Sequence, residues 1–103
     1  MKNAIITEFV KFKGLENRSD EQIITASENF INDFHVKQDG FIDVELIKPF
    51  EGNDWMLIFH FENMEKVKAI GEKMRSSKEF GEFATAIVPG SISVSFNHKL
   101  KGW

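Results

Sequence analysis

A chain of 103 residues fits one domain, expected over residues 1–103. Its hydrophobic share of 42% allows one modest core. A formal net charge of −3 with no block of Lys or Arg leaves no footprint for phosphate backbones, which excludes nucleic acid as an expected partner. The absence of cysteine excludes disulfides, thiolate metal sites and a sulfur nucleophile.

The N-terminal residues Met1 to Glu8 lack the apolar run and small-residue cleavage site of a secretory signal. No segment approaches the length of about 18 apolar residues that a membrane span needs. A cytoplasmic protein without membrane contact is therefore expected. Eleven Phe and no Tyr supply large apolar area without hydroxyls to satisfy, which suits a core and an interface.

In chain order, residues 4–12 are rich in β-branched and aromatic side chains and predict a strand that Gly14 ends. Ser19 and Gln22 have capping-box spacing, and Asp20 and Glu21 suit the positive end of a helix dipole. The helix that follows carries Ile23, Ile24, Ser27, Phe30, Ile31 and Phe34 as one stripe. His35 and Lys37 fall in its last turn, where a cation favours the carbonyl end, and Gly40 is its stop.

Phe41–Lys48 alternate as a second strand, Pro49–Asp54 supply turn residues, and Trp55–Phe61 predict a third strand paired with the second as a hairpin. Asn63 is placed to cap a helix with the stripe Met64, Val67, Ile70 and Met74. Gly71 inside that helix costs about 1 kcal/mol relative to Ala. Ser76 and Glu79 predict a second capping box, opening a short helix with Phe80, Phe83, Ala84 and Ile87. After Pro89-Gly90, the residues Ile92, Val94 and Phe96 alternate with Ser91, Ser93, Ser95 and Asn97 in a last strand.

The order βαββαβ is that of the ferredoxin-like split βαβ. It predicts an α+β domain whose four-stranded antiparallel sheet carries both helices on one face. A hairpin loop of Pro49–Asp54 places Asp43 opposite His60; a shorter loop, Glu51–Asp54, places Glu45 there instead. Either register assigns the same faces, because a two-residue step preserves side-chain direction. One face takes Ile42, Val44, Leu46, Trp55, Leu57, Phe59 and Phe61 and is the expected core. The other takes Phe41, Asp43, Glu45, Ile47, Met56, Ile58, His60 and Glu62. Its mixture of apolar and acidic groups suits an interface between two copies that encloses a partly wet cavity.

The run Ile5–Phe12, Asp39-Gly40-Phe41, the strand-to-helix segment His60–Val67 and Ser77–Phe83 with its two spaced aromatics together resemble the dimeric α+β barrel superfamily. Within it, they are similar to the antibiotic biosynthesis monooxygenase-like group. The resemblance covers nearly the whole chain. It implies two sheets packed face to face in a homodimer, a pocket between sheet and helices, and activities that include cofactor-free oxygenation of aromatic polyketides and haem degradation. The haem-degrading members place an axial His where this chain has Ala84, and no His lies between His60 and His98, which argues against that activity. No cofactor is expected.

The sharpest constellation is His60 with Asp43 or Glu45. A carboxylate orients an imidazole, which then takes a proton from an acidic phenol or enol. The plainer reading is a cross-strand pair on a half-exposed sheet, worth at most about 1 kcal/mol. Asp43, Glu45, His60 and Glu62 lack the spacing of a metal motif, so no metal is expected. Trp55, Ile58, Phe80, Phe83, Ser93 and Ser95 are the candidate lining of a site for a small apolar or aromatic molecule. Core packing of the aromatics and solvated alternation of the serines are the structural alternatives. Two functions follow: a homodimeric small-molecule-binding protein with cofactor-free monooxygenase-like chemistry, or a non-catalytic ligand-sensing, stress-associated or structural dimer.

Overall fold

The computed structural model describes residues 5–103; the expected strand start at Ala4 lies outside them. Strand β1 spans Ile6–Lys13, helix α1 Asp20–Asp33, β2 Phe41–Ile47, β3 Asp54–Phe61, α2 Met64–Arg75, α3 Lys78–Ala84 and β4 Ser93–His98. The strands form one antiparallel sheet in the order β2-β3-β1-β4, the split βαβ arrangement that the element order predicts.

Local chemistry sets the helix starts. Ser19 accepts a hydrogen bond from the Gln22 amide while the Gln22 side chain accepts one from the Ser19 amide, so two orphan donors are satisfied together. Asn63 does the same for the Lys66 amide at 2.8 Å. The third helix is capped one residue later than the spacing predicts: Ser77, not Ser76, accepts from the Phe80 amide.

The core lies between the sheet and the helices. Phe12 from β1, Ile23 and Phe30 from α1, Leu57 and Phe61 from β3, Ile70 from α2 and Phe83 from α3 are all at most 5% exposed. Trp55, Leu57, Phe59 and Phe61 occupy the inner face of β3 as expected.

Two expectations are overturned here. A β-bulge between Phe41 and Asp43 inserts Ile42 as an extra residue. Phe41 consequently turns inward, opposite Phe61 and against the core, while Ile42 is 43% exposed. The inner and outer places given to this pair are therefore exchanged, and the rest of the hairpin keeps its faces. His35 does not serve the end of α1 as a cation, because burial lowers its pKa to about 4. The helix stops at Asp33, and a 3₁₀ turn over His35–Lys37 carries the imidazole into the core, where it is 3% exposed. It packs against the rings of Phe30, Phe34, Phe41 and Phe59.

Candidate functional site

The strand registers arrange the outer sheet face in three rows across four strands. One reads Asp43, His60, Thr7 and Asn97; the next Glu45, Ile58, Phe9 and Ser95; the third Ile47, Met56, Lys11 and Ser93. The apolar centre of Phe9, Met56 and Ile58 is thus bordered by a carboxylate–imidazole pair at one end, Lys11 at the other, and hydroxyl and amide groups along the β4 edge.

The longer hairpin loop is the one formed. Asp43 lies opposite His60, and its Oδ1 stands 2.6 Å from His60 Nδ1. Glu45 lies opposite Ile58, one row away. The imidazole is largely covered, with 27% of its side chain exposed, while the Asp43 side chain remains open at 67%. With Nδ1–H donating to Asp43, the Nε2 atom is the ring's acceptor. The pair can therefore take up a proton from a group that approaches the sheet face. Among the described residues, no three His, Asp or Glu side chains converge as a metal site requires.

The residues proposed to line a ligand site fall on opposite sides of the sheet. Ile58, Ser93 and Ser95 share the outer face with His60. Trp55 and Phe83 are buried in the core at 3% exposure each. The Trp55 ring stacks parallel to Phe12, its indole N–H donates to Asn53 Oδ1 at 3.3 Å, and the Lys48 ammonium lies over its face. Phe83 meets Phe12 edge-on and stacks on Phe30. Phe80 is half-buried beside Phe30. These three aromatics pack the core, and Phe83 also reaches an open groove of about 810 Å³ between α1 and α3. Acidic side chains of Glu21, Asp33, Glu79 and Glu82 line that groove with Arg18.

One group escaped the sequence reading. Glu8 lies in phase with the buried Ile6 and Phe12, on the helix-facing side of β1 and opposite Phe59. Burial pushes its carboxyl up to about 7. The signal was the alternation Ile6, Glu8, Val10, Phe12, which sets a carboxylate among three inward apolar positions.

No protein-family model matches the sequence, and no curated protein is significantly similar to it. Solved structures do share its fold. A monooxygenase of Streptomyces coelicolor, determined in complex with nanaomycin D, superposes with a TM-score of 0.78 at 11% identity, covering 98% of this chain and 92% of the other. SnoaB, a cofactor-independent oxygenase from Streptomyces nogalater, gives 0.72 at 12% identity over 96% of each chain. A conserved protein from Methanosarcina mazei gives 0.72 at 13% identity over 95% of each. This chain has the α+β fold of the antibiotic biosynthesis monooxygenase-like proteins.

Proposed function

We propose that this chain, as a single domain over residues 1–103, forms a cytoplasmic homodimer that binds a small aromatic or enolic molecule and acts on it as a cofactor-free monooxygenase-like enzyme. His60 is the base, and Asp43 orients it. Glu45 and Ile58 stand in the adjacent row, where Ile58 supplies apolar contact, and Ser95 closes that row at the β4 edge. The observation that carries the reading is the 2.6 Å contact between His60 Nδ1 and Asp43 on a sheet face with an apolar centre. The fold shared with two oxygenases gives the reaction class as analogy.

In this scheme the substrate's phenol or enol proton passes to Nε2. The electron-rich anion is then oxidised by dioxygen, one oxygen atom entering the product and the other leaving as water. Outer-face apolar side chains exclude bulk water from the anion. A general base of this kind contributes about 10²–10⁴-fold to rate.

Oxygen uptake with a panel of phenols and cyclic 1,3-diketones tests the proposal. Turnover of any accepted compound is expected to fall at least about 100-fold in His60→Ala. Unchanged turnover in that variant would remove His60 as the base. The second reading, a non-catalytic sensing, stress-associated or structural dimer, is favoured by the apolar cluster of Phe9, Met56 and Ile58 beside the pair. Packed against the same residues of a second copy, these side chains would fill the space that a substrate needs. Absence of oxygen uptake across the panel, with an intact dimer, supports that reading.

A further inference from the structure

On the helix-facing side of the sheet, the register forms a row of Phe59, Glu8 and Phe96 across β3, β1 and β4. Directly opposed residues place their Cβ atoms about 5 Å apart, so the Glu8 carboxyl stands between two aromatic side chains. Phe59 is 3% exposed, whereas Phe96 is 47% exposed. The next row joins Val10 to Val94, which is 44% exposed. The helix layer therefore covers β3 and stops short of β4. Glu8 lies at the boundary, half-buried. It makes no ion pair or hydrogen bond to another side chain among the described residues. The same-face neighbours on β3 are Leu57, Phe59 and Phe61, and on β4 they are Val94, Phe96 and His98. Of these only His98 titrates, and it is exposed at the strand end.

We propose that Glu8, Val10, Val94 and Phe96 form a binding site for a small organic ammonium ion with an apolar body. The site lies on the opposite sheet face from His60 and does not rest on the function proposed above. Charge complementarity selects the occupant. A carboxylate withdrawn from water without a partner is costly, and a cation that supplies the partner relieves that cost. An aromatic ring beside the carboxylate adds attraction for the same cation through its face. Val94 and Phe96, left open to solvent, receive the apolar body, with the half-buried Val10 beneath them. An uncharged ligand of the same shape would gain only the apolar contact. The carboxyl pushed up to about 7 fits a group that awaits a counter-charge.

Phenylpropylamine, with phenylpropanol as its uncharged counterpart, provides the test. Amide NMR titrations are run at mildly alkaline pH on the wild type, Glu8→Gln and Phe96→Ala. The amine is expected to bind about tenfold more tightly than the alcohol, with shifts centred on Glu8, Val10, Val94 and Phe96. Glu8→Gln should bring the amine's affinity down to the alcohol's and leave the alcohol's unchanged. Phe96→Ala, at a half-exposed position that leaves the core intact, should weaken both ligands. Equal affinities in the wild type, no amine binding, or shifts centred elsewhere would each overturn the site. So would an amine preference that survives in Glu8→Gln. The comparison of amine with alcohol in the wild type needs no variant to fold.

Discussion

Two buried or half-buried titratable groups, His35 and Glu8, oppose each other in the dependence of stability on pH. The aromatic shell around His35 leaves its Nδ1 buried without a hydrogen-bond partner among the described residues. Burial takes the imidazole from its ordinary 6.5 down to about 4, with a backbone hydrogen bond to Phe30 acting weakly the other way. Unfolding lets it protonate, so its share of stability is complete above pH 6.5 and is lost as pH falls toward 4. That share amounts to about 3 kcal/mol. Glu8 has the other sign. Its carboxyl rises from 4.5 to about 7, so the folded state holds a proton that the unfolded state has released. Its contribution is complete below pH 4.5 and is lost as pH rises through 7. Between about pH 4.5 and 6.5 the two slopes offset each other, and the wild type should show a nearly flat stability curve there. Urea melts across that range should reveal each slope alone. His35→Phe, which keeps an aromatic ring in the shell, should be less stable at pH 6.5 than at pH 4.5. Glu8→Gln should be more stable at pH 6.5 than at pH 4.5. Parallel curves for all three proteins would contradict both assignments.

Each element owes its boundaries to a few residues, and two glycines of α2 and its neighbourhood separate space from backbone conformation. Gly40, which precedes β2, has φ +94°, and a Cβ there would stand 2.5 Å from Lys66 Cβ on α2. Gly71, inside α2, has an ordinary helical φ and nothing within 4 Å of the place a Cβ would take. Gly40→Ala should therefore cost at least about 2 kcal/mol, and Gly71→Ala should stabilise by about 0.5–1 kcal/mol. Denaturant midpoints at constant slope check both; a stabilising Gly40→Ala would contradict the close approach of the β2 start to α2. These elements were largely legible in the sequence, because Ser19 with Gln22, the Asn63 cap and the strict alternation of β3 act within a few residues of where they are read. The bulge at Ile42 was not legible. It turns Phe41 inward beside the His35 imidazole, which the 3₁₀ turn carries into the core. That contact joins residues from two separate elements, and no local pattern encodes it. For the same reason the Asp43–His60 contact was readable as one of two registers, while the separation of Trp55, Phe80 and Phe83 from the serines of β4 needed the fold. Periodicity assigns a side chain to a face, and only the packed layers tell which face holds a cavity and which is filled.

At the scale of the molecule, the outer sheet face is the surface most in need of a partner. Phe9, Met56 and Ile58 are half-buried there with no helix above them, and Ile47 is 45% exposed. In the proposed homodimer these residues meet the same residues of a second copy, which is the self-complementary contact of a two-fold pair. A four-stranded face measures about 19 by 23 Å, a flat footprint about half of the roughly 800 Å² of accessible surface that each partner of a stable complex commonly buries. The contact must therefore take in more of the chain. The hairpin tip with Phe50 and the C-terminal tail with Leu100 and Trp103 are the most exposed apolar segments, each at least 87% exposed. Two variants separate the contributions. Ile58→Glu places a charge at the centre of the pairing face, opposite its own copy across the two-fold, and should yield a folded monomer by sedimentation at micromolar concentration with an unchanged far-ultraviolet spectrum. Trp103→Ala leaves the sheet untouched and should weaken the dimer by about tenfold if the tail clasps the second copy. A wild type that sediments as a monomer would refute the dimer outright. An Ile58→Glu variant that remains dimeric would place the contact on a surface other than the sheet, and the His60 pair would then face solvent with no second copy to enclose it.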